Sequence, residues 1–216
     1  MDYAGRHKYD LPGRAERYRD RSSRRNAEEW ALLEGVLDRL PAPTHVLDVP
    51  CGTGRIAEAL RLRGLDTACG DLSPAMREAT DSRMAALRAA GDQAPLGRHL
   101  GTHAIDLEAP PGALEPADLV VCFRFFHHLP DEAARLRALE GLRKLTGGHL
   151  VLSFFHPVSA HNLSRQVKAR LRGRPSDRHT IGRRALTALA RKAGFEAQGF
   201  QGLAPWRRDL WLGWFT

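Results

Sequence analysis

The chain has 216 residues, 43% of them hydrophobic, and an excess of arginine gives it a formal net charge of +8. That length suffices for one α/β domain with a sizeable core, and no apolar run reaches the roughly 20 residues of a membrane span. Its N-terminus lacks a signal peptide's apolar segment and its three cysteines form no C-x-x-C pair, so we predict a cytoplasmic protein without disulfides or structural zinc.

The first predicted element is a helix over residues 14–40, which ends at Pro41. Strands and helices then alternate, and this alternation predicts a parallel sheet. The predicted strands are 45–49, 66–72, 99–107, 117–126 and 149–155. The predicted helices are 55–64, 73–90 and 130–145. Ser73 is a good N-cap for the second of these helices, and Gly147 and Gly148 predict a turn into the fifth strand.

The alternation stops after the fifth strand. Residues 158–181 are polar and strongly basic, which indicates an insertion over the sheet edge. A helix over 182–195 and strands near 196–203 and 210–215 complete the chain. We therefore predict one α/β domain, 1–216, with a seven-stranded, mostly parallel sheet, helices on both faces and an N-terminal helical extension over 1–43.

A glycine loop, VLDVPCGTG over residues 46–54, follows the first strand, where α/β sheets bind ligands. Its GTGRIA part also fits the G-x-G-x-x-G/A pattern of dinucleotide sites, with Asp71 near the distance expected for a ribose contact. That pattern alone is weak evidence for a dinucleotide. Asp48, four residues before Gly52, favours a different cofactor.

The segment LDVPCGTG resembles motif I of the class I S-adenosylmethionine-dependent methyltransferases, with Pro50 in place of an expected glycine. Three further segments follow in the order of that family: GDLSPAM, Ile105–Leu107 and ADLVVCFRFFHHLPD. The resemblance covers about residues 44–216. It implies a Rossmann-like fold, S-adenosylmethionine as the cofactor and methyltransferase activity.

The resemblance implies nine cofactor-binding residues: Asp48, Pro50, Gly52, Gly54, Asp71, Leu72, Met76, Asp106 and Leu107. Small residues at Gly52 and Gly54 allow close approach of the methionine end. Asp48 can pair with the cofactor's ammonium group, and Asp71 can accept from its ribose hydroxyls. The alternative is a purely structural role, in which these carboxylates only cap the adjoining turn and helix.

The adenine contacts are expected at the second and third strand ends. Asp106 can accept from the adenine amino group while the backbone of Leu107 holds a ring nitrogen, and Leu72 and Met76 can flank the ring. The alternative for Asp106 is a carboxylate that faces water. Proline at position 50 lacks an N–H but keeps its carbonyl, so it fits if the loop uses only that carbonyl.

Methyl transfer requires alignment, and it requires a base only when the acceptor atom is protonated. The candidates after the fourth and fifth strands are Arg124, His127 and His156. We predict that His127 is the base or contacts the acceptor; the alternative is that it only packs in the loop. We predict that Arg124 lies beside the cofactor or the acceptor; the alternative is a structural ion pair. His128 matches a position that is often structural in the family. No histidine pair has metal-ligand spacing, so no metal is expected.

The segment Arg165–Arg184 is strongly basic but has no aromatic residue, so it lacks a stacking platform for single-stranded RNA. Arg165, Lys168 and Arg172 are spaced to share a helix face. We predict O- or N-methylation of a small-molecule or anionic, glycolipid-type acceptor that arginines hold. An RNA methyltransferase and a non-catalytic S-adenosylmethionine-binding protein remain alternatives, and the sequence leaves the oligomeric state open.

Overall fold

The computed structural model describes residues 23–90, 95–110, 112, 114–171, 178–204, 206 and 208–216. The helices in this part of the chain are α1 Ser23–Leu37, α2 Arg55–Leu62, α3 Pro74–Ala89, α4 Glu132–Leu145, α5 Ala160–Leu171 and α6 Arg183–Lys192. The strands are β1 Val46–Asp48, β2 Thr67–Asp71, β3 His99–Ala104, β4 Ala117–Cys122, β5 Thr146–Phe155, β6 Ala197–Gly202 and β7 Leu210–Phe215. The part of the predicted first helix before residue 23 lies outside the described residues.

The strands form one seven-stranded sheet in the order β3-β2-β1-β4-β5-β7-β6. Strands β1 to β5 pair in parallel, and β7 runs antiparallel to both β5 and β6. The predicted mostly parallel sheet is therefore confirmed. The chain order reverses between β1 and β4, and at this switch point the carboxyl ends of the central strands leave room for a ligand.

Helices cover both faces of the sheet. On one face, α4 and α6 bury Leu142 and Leu186 in the core that contains Val120 of β4. On the other face, Leu33 of α1 lies in the core that contains Leu119 of β4. Successive residues of β4 thus enter opposite cores, which explains why this strand is an almost continuous apolar run.

The connection from α4 to β5 differs from the prediction. Gly147 and Gly148 do not form a separate turn, because β5 already begins at Thr146, the residue after α4. A Cβ atom at Gly148 would lie 2.5 Å from the carbonyl oxygen of Asp118. The missing side chain therefore lets β5 approach β4 closely, and the glycine pair belongs to the strand.

The end of β4 also differs from the predicted strand over 117–126. The strand ends at Cys122, Arg124 has a left-handed backbone with φ of 58°, and Phe126–His128 form a short 3₁₀ helix. An apolar sequence here reflects burial rather than extended backbone, since Phe126 is almost fully buried. The bend places the residues after β4 at the carboxyl edge of the sheet.

Within the basic segment, α5 occupies Ala160–Leu171, and residues 172–177 lie outside the described part of the chain. The expected positions of Arg172 and Arg174 are therefore not placed. Over the ranges that the structure describes, no helix is both long and apolar enough to cross a bilayer.

Candidate active site

A cavity of about 500 Å³ opens at the carboxyl edge of the sheet. Its walls come from α1 and from the segments that follow β1, β2, β3 and β4. Eight of the nine predicted cofactor-binding residues line it: Asp48, Pro50, Gly52, Asp71, Leu72, Met76, Asp106 and Leu107. The cavity therefore lies where the sheet topology and the glycine loop place a ligand.

Asp48, the last residue of β1, is almost completely buried in the cavity wall. Its Oδ2 atom accepts a hydrogen bond from the Ala57 N–H at 3.1 Å, whereas its buried Oδ1 atom has no partner among the described residues. Burial raises the pKa of this carboxyl well above its ordinary range. A buried carboxylate oxygen without a donor is costly, so this atom fits a cationic group of a ligand.

Asp71, at the end of β2, ties the glycine loop to the neighbouring strand. Its two carboxylate oxygens accept from the N–H groups of Gly52 and Ser73, both at 2.9 Å. Ser73 in turn caps α3, as predicted, by accepting from the Met76 N–H. Each carboxylate oxygen has a further lone pair, so Asp71 can both hold the loop and accept from hydroxyl groups.

The two loop glycines have different tasks. Both have positive φ, 56° at Gly52 and 74° at Gly54, a conformation that side chains disfavour. Gly52 lines the cavity, but Gly54 is absent from the cavity wall formed by the described residues. A Cβ atom at Gly54 would lie 3.1 Å from the Thr80 side chain, so this glycine turns the chain into α2 against α3.

Pro50, the departure from the expected glycine, lines the cavity, and the Val49–Pro50 peptide bond is cis. At the far end of the cavity, the Asp106 carboxylate accepts from the Glu108 N–H at 3.0 Å. Met76 is buried and Leu72 is 37% exposed, and both border the space beside Asp106 and Leu107. This end combines apolar walls with a carboxylate, as an aromatic ring with an amino group requires.

A buried glutamate of α1 was not anticipated from the sequence. Glu29 is 2% exposed and accepts from the guanidinium groups of Arg55 and Arg124, at 2.9 and 2.5 Å. Its helix thereby forms one wall of the cavity. No pattern near Glu29 signals this role, because Arg124 lies 95 residues away along the chain.

Arg124 lines the cavity and also forms the predicted alternative, an ion pair. Its left-handed backbone lets its N–H donate to the Ser153 hydroxyl, and its guanidinium reaches Glu29. Non-glycine residues adopt this conformation rarely and often at functional sites. The arginine is thus fixed at the boundary between β4, β5 and α1.

The structure places the three histidines of the prediction in different surroundings. In the described cavity wall His128 is present, whereas His127 and His156 are not. The His127 ring is buried and stacks on Phe155 with ring centroids 4.3 Å apart; burial, and then the neighbouring His128, lowers its pKa. A residue held neutral and away from the cavity is poorly placed to accept a substrate proton.

His156 lies farther along the sheet edge. Its ring packs on Trp211 with centroids 5.1 Å apart, and its Nδ1 atom accepts from the Val158 N–H at 3.2 Å. Burial lowers the pKa of this imidazole. These contacts give His156 a structural role in the turn into α5 and leave its ring outside the described wall of the main cavity.

The described part of the basic segment lies beside the cavity. Arg165 pairs with Asp209, and Arg178 and Arg124 both line a small cleft of about 20 Å³ next to the main cavity. Arg165 is half-buried while Lys168 is exposed, so these two residues of the predicted common face have different surroundings. The described part of the segment therefore contributes Arg178 to a cleft beside the main cavity.

The sheet order, the antiparallel β7 and the carboxylates that end β1 and β2 together define the class I methyltransferase fold. A family model described as a methyltransferase domain matches residues 16–198, and the chain belongs to this family. It is an S-adenosylmethionine-dependent methyltransferase, as its resemblance to motif I implied.

Curated relatives cover most of the chain. A ubiquinone biosynthesis O-methyltransferase of Xanthomonas axonopodis pv. citri (strain 306) is 30% identical over 184 residues, which are 81% of this chain and 73% of that protein. The protein of the same name from Bordetella avium (strain 197N) is 31% identical over 171 residues, covering 74% of this chain and 65% of the relative.

Solved structures share the fold at low sequence identity. A methyltransferase from Methanosarcina mazei superposes with a TM-score of 0.67 at 17% identity, covering 83% of this chain and 95% of that one. Magnesium protoporphyrin IX methyltransferase from Synechocystis PCC 6803, solved with bound S-adenosylhomocysteine, gives a TM-score of 0.61 at 17% identity, with coverages of 88% and 82%.

Proposed function

We propose that the protein transfers a methyl group to an oxygen atom of a small-molecule acceptor that enters the cavity beside α1. The observation that carries this proposal is the buried, unpartnered Oδ1 atom of Asp48 in a cavity that continues past it to Phe123 and Arg124. The end of the cavity beside Asp48 thus suits the cofactor, and the end beside Phe123 and Arg124 leaves room for an acceptor. The O-methyltransferase relatives favour oxygen as the accepting atom.

The residues at the glycine-loop end would hold the cofactor. Asp48 would pair with its ammonium group, and Asp71 would accept from its ribose hydroxyls. Asp106 and the backbone of Leu107 would contact the adenine, which Met76 would flank together with Leu72. S-adenosylmethionine, when bound, supplies an electrophilic methyl group, and the remaining tasks of alignment, exclusion of water and proton removal belong to the chain.

The other end of the cavity would hold the acceptor. Aromatic side chains from α1 and from the segment after β4, Trp30, Phe123 and Phe125, line this end and would help to exclude water from a bound acceptor. His128 lies in the same wall, and we assign to it the removal of the proton from an acceptor hydroxyl, a role expected from sequence for His127. Arg124 would position an oxygen of the acceptor.

Two features of the acceptor remain predictions. An anionic group on it would suit the arginines along the carboxyl edge, Arg124 and Arg178. The lack of aromatic residues in the basic segment argues against a single-stranded RNA acceptor.

A cytoplasmic location of the protein is inferred from the sequence alone.

Cofactor choice is tested first, by thermal unfolding with S-adenosylhomocysteine and with NAD. We expect stabilisation by the former alone, because ligands that bind only the folded state raise its stability. The Asp48→Ala variant should lose this stabilisation, whereas Asp81→Ala, an exposed carboxylate on α3 outside the described cavity wall, should keep it. Comparable stabilisation of the parent protein by NAD would contradict the assignment.

Acceptor class is tested by following a labelled methyl group from S-adenosylmethionine to hydroxylated aromatic compounds, to their amine analogues and to RNA. We expect label on the hydroxylated compounds. The His128→Asn variant should lower turnover by about 10²–10⁴-fold with little change in cofactor affinity. The matched His127→Asn variant should retain turnover once folded, and the opposite ranking of the two histidines would overturn the assignment of the base.

A further inference from the structure

An apolar stripe on the outer side of α5 has no partner in the described part of the molecule. It consists of Leu163, Val167 and Leu171, which are 64%, 48% and 82% exposed. The spacing of four residues puts the three side chains in one row along the helix. We call this row the α5 stripe.

The opposite side of α5 is anchored to the protein. The Asn162 amide donates to the Pro157 carbonyl at 2.6 Å, and Arg165 donates to both Asp209 and Asn162. At about 100° per residue, Asn162 and Arg165 lie on the far side of the helix from the α5 stripe. The anchored side therefore fixes the direction in which the stripe points, which is away from the sheet.

Further exposed apolar residues lie beside the start of the same helix. Val158 is 60% exposed, and Trp206 is 81% exposed and accepts, through its carbonyl, from the Ala160 N–H at 3.0 Å. With the α5 stripe, these account for five of the eight large hydrophobic residues exposed in the described chain. Such a concentration differs from the scattered apolar residues of an ordinary surface and marks an interaction site.

The sequence that contains the stripe is basic. Residues 156–176 contain five lysines and arginines and no aspartate or glutamate. Lys168 is exposed on α5, next to the stripe around the helix. An apolar row on a basic helix is the pattern of helices that lie in the interface of a bilayer with anionic lipids.

We propose that α5, together with Val158 and Trp206, docks the protein on the surface of a bilayer that contains anionic lipids. The α5 stripe enters the boundary between headgroups and acyl chains, and Lys168 contacts lipid phosphates. A second copy of the chain is a poorer occupant, because two basic helices would face each other in a protein whose net charge is already +8.

This docking would place the active site near the membrane. Arg165 of α5 pairs with Asp209, which lines the small cleft. Glu29 and Arg124 line both this cleft and the main cavity. The anchored side of α5, opposite the stripe, thus faces the cleft beside the main cavity. The proposal stands on the surface alone and does not depend on which atom the enzyme methylates.

Co-sedimentation of the whole protein with vesicles tests the proposal. We expect binding to phosphatidylcholine vesicles that contain phosphatidylglycerol and much weaker binding to phosphatidylcholine alone. Salt should weaken binding to the anionic vesicles, because it screens their attraction for the basic helix. The triple variant Leu163→Gln, Val167→Gln, Leu171→Gln should bind at least about tenfold more weakly, because three apolar side chains no longer enter the bilayer. Lys168→Glu should also reduce binding to the anionic vesicles.

The matched control is the double variant Leu62→Gln, Leu100→Gln, which changes exposed leucines away from α5 and should bind vesicles like the parent. Retained stabilisation by S-adenosylhomocysteine shows that each variant is folded. Absence of vesicle binding by the parent, or an equal loss in the control, would overturn the proposal. So would a concentration-dependent dimer in analytical ultracentrifugation that the triple variant abolishes, since a second copy would then occupy the stripe.

Discussion

The two ends of the cavity are held together in different ways. At the proposed cofactor end, carboxylates accept from backbone N–H groups nearby in sequence: Asp48 from Ala57, nine residues on, and Asp71 from Gly52, 19 residues back. At the proposed acceptor end, side chains pair with side chains across long stretches of chain. Glu29 and Arg124 are 95 residues apart.

The two ends of the cavity therefore depend on side-chain identity to different degrees. Backbone groups cannot be changed by substitution, so a loop held through them keeps its shape while its sequence varies. Pairs of side chains can be replaced in evolution, and an acceptor pocket built from them can change with its substrate. The contrast predicts distinct consequences for changes at the two ends.

The largest effect is expected at the acceptor end, from Glu29→Gln. The substitution leaves the half-buried guanidinium groups of Arg55 and Arg124 without their carboxylate, and breaking a buried pair of this kind costs about 3 kcal/mol or more. Chemical denaturation should show this loss of unfolding free energy. The control Glu34→Gln, at an exposed pair with Arg63, should cost less than about 1 kcal/mol. Equal losses would mean that α1 is not held by Glu29.

At the cofactor end, Asp71→Ala should weaken binding of S-adenosylhomocysteine by about 10–100-fold. The variant loses the proposed bonds to ribose and releases the N–H groups of Gly52 and Ser73, and bonds to a charged group are worth about 1.5–3 kcal/mol. Titration calorimetry measures the dissociation constant. Pro50→Gly should lose less, because its role is conformational. A larger loss from Pro50→Gly would show that loop stiffness matters more than the carboxylate.

A smaller effect is expected from Gly54→Ala, which tests the turn at the cofactor end. The new Cβ atom must adopt a φ near 74° and lies 3.1 Å from Thr80, at a cost of about 1–2 kcal/mol. Gly182→Ala is the matched control: Gly182 also precedes a helix, but its φ is −79° and no described atom lies within 4 Å of the added Cβ. The melting temperature should fall for the first variant only.

The smallest effect concerns His127 and depends on pH. Burial lowers its pKa in the folded protein, whereas unfolded histidine titrates near about 6.5. Its contribution to stability is therefore complete above about pH 6.5 and is lost as the pH falls, by up to about 1.4 kcal/mol per pH unit. His127→Phe, which can keep the stack on Phe155, should remove this part of the slope in unfolding experiments between pH 7 and 5. An unchanged slope would contradict a buried neutral imidazole.

Eight of the nine residues that the sequence suggested for the cofactor lie together in one cavity wall, because the features that identify them are local. Asp48 and Asp71 end strands that the apolar pattern reveals, and the topology brings parallel strand ends together. Gly54 is the exception among the nine residues. Its position in the motif implied a cofactor contact, whereas its neighbour in the structure is Thr80. A sequence motif predicts the loop, but it does not predict which glycine lines the cavity and which one packs against a neighbouring helix.

The acceptor end could not be predicted in the same way. His127 and His128 are adjacent, and only the 3₁₀ turn after β4 decides which ring enters the core and which reaches the cavity. Glu29 lies in an ordinary amphipathic helix, and nothing in its spacing points to a distant arginine. Both features depend on tertiary packing, which periodicity does not contain.

The unpartnered oxygen of Asp48 has a consequence for how the enzyme is regulated. The ammonium group that it would hold is the same in S-adenosylmethionine and in the S-adenosylhomocysteine left after transfer. A contact that does not change during the reaction binds both molecules equally and helps neither to leave. We therefore expect strong inhibition by the product, so that the rate in a cell would follow the ratio of the two molecules rather than the amount of methyl donor alone.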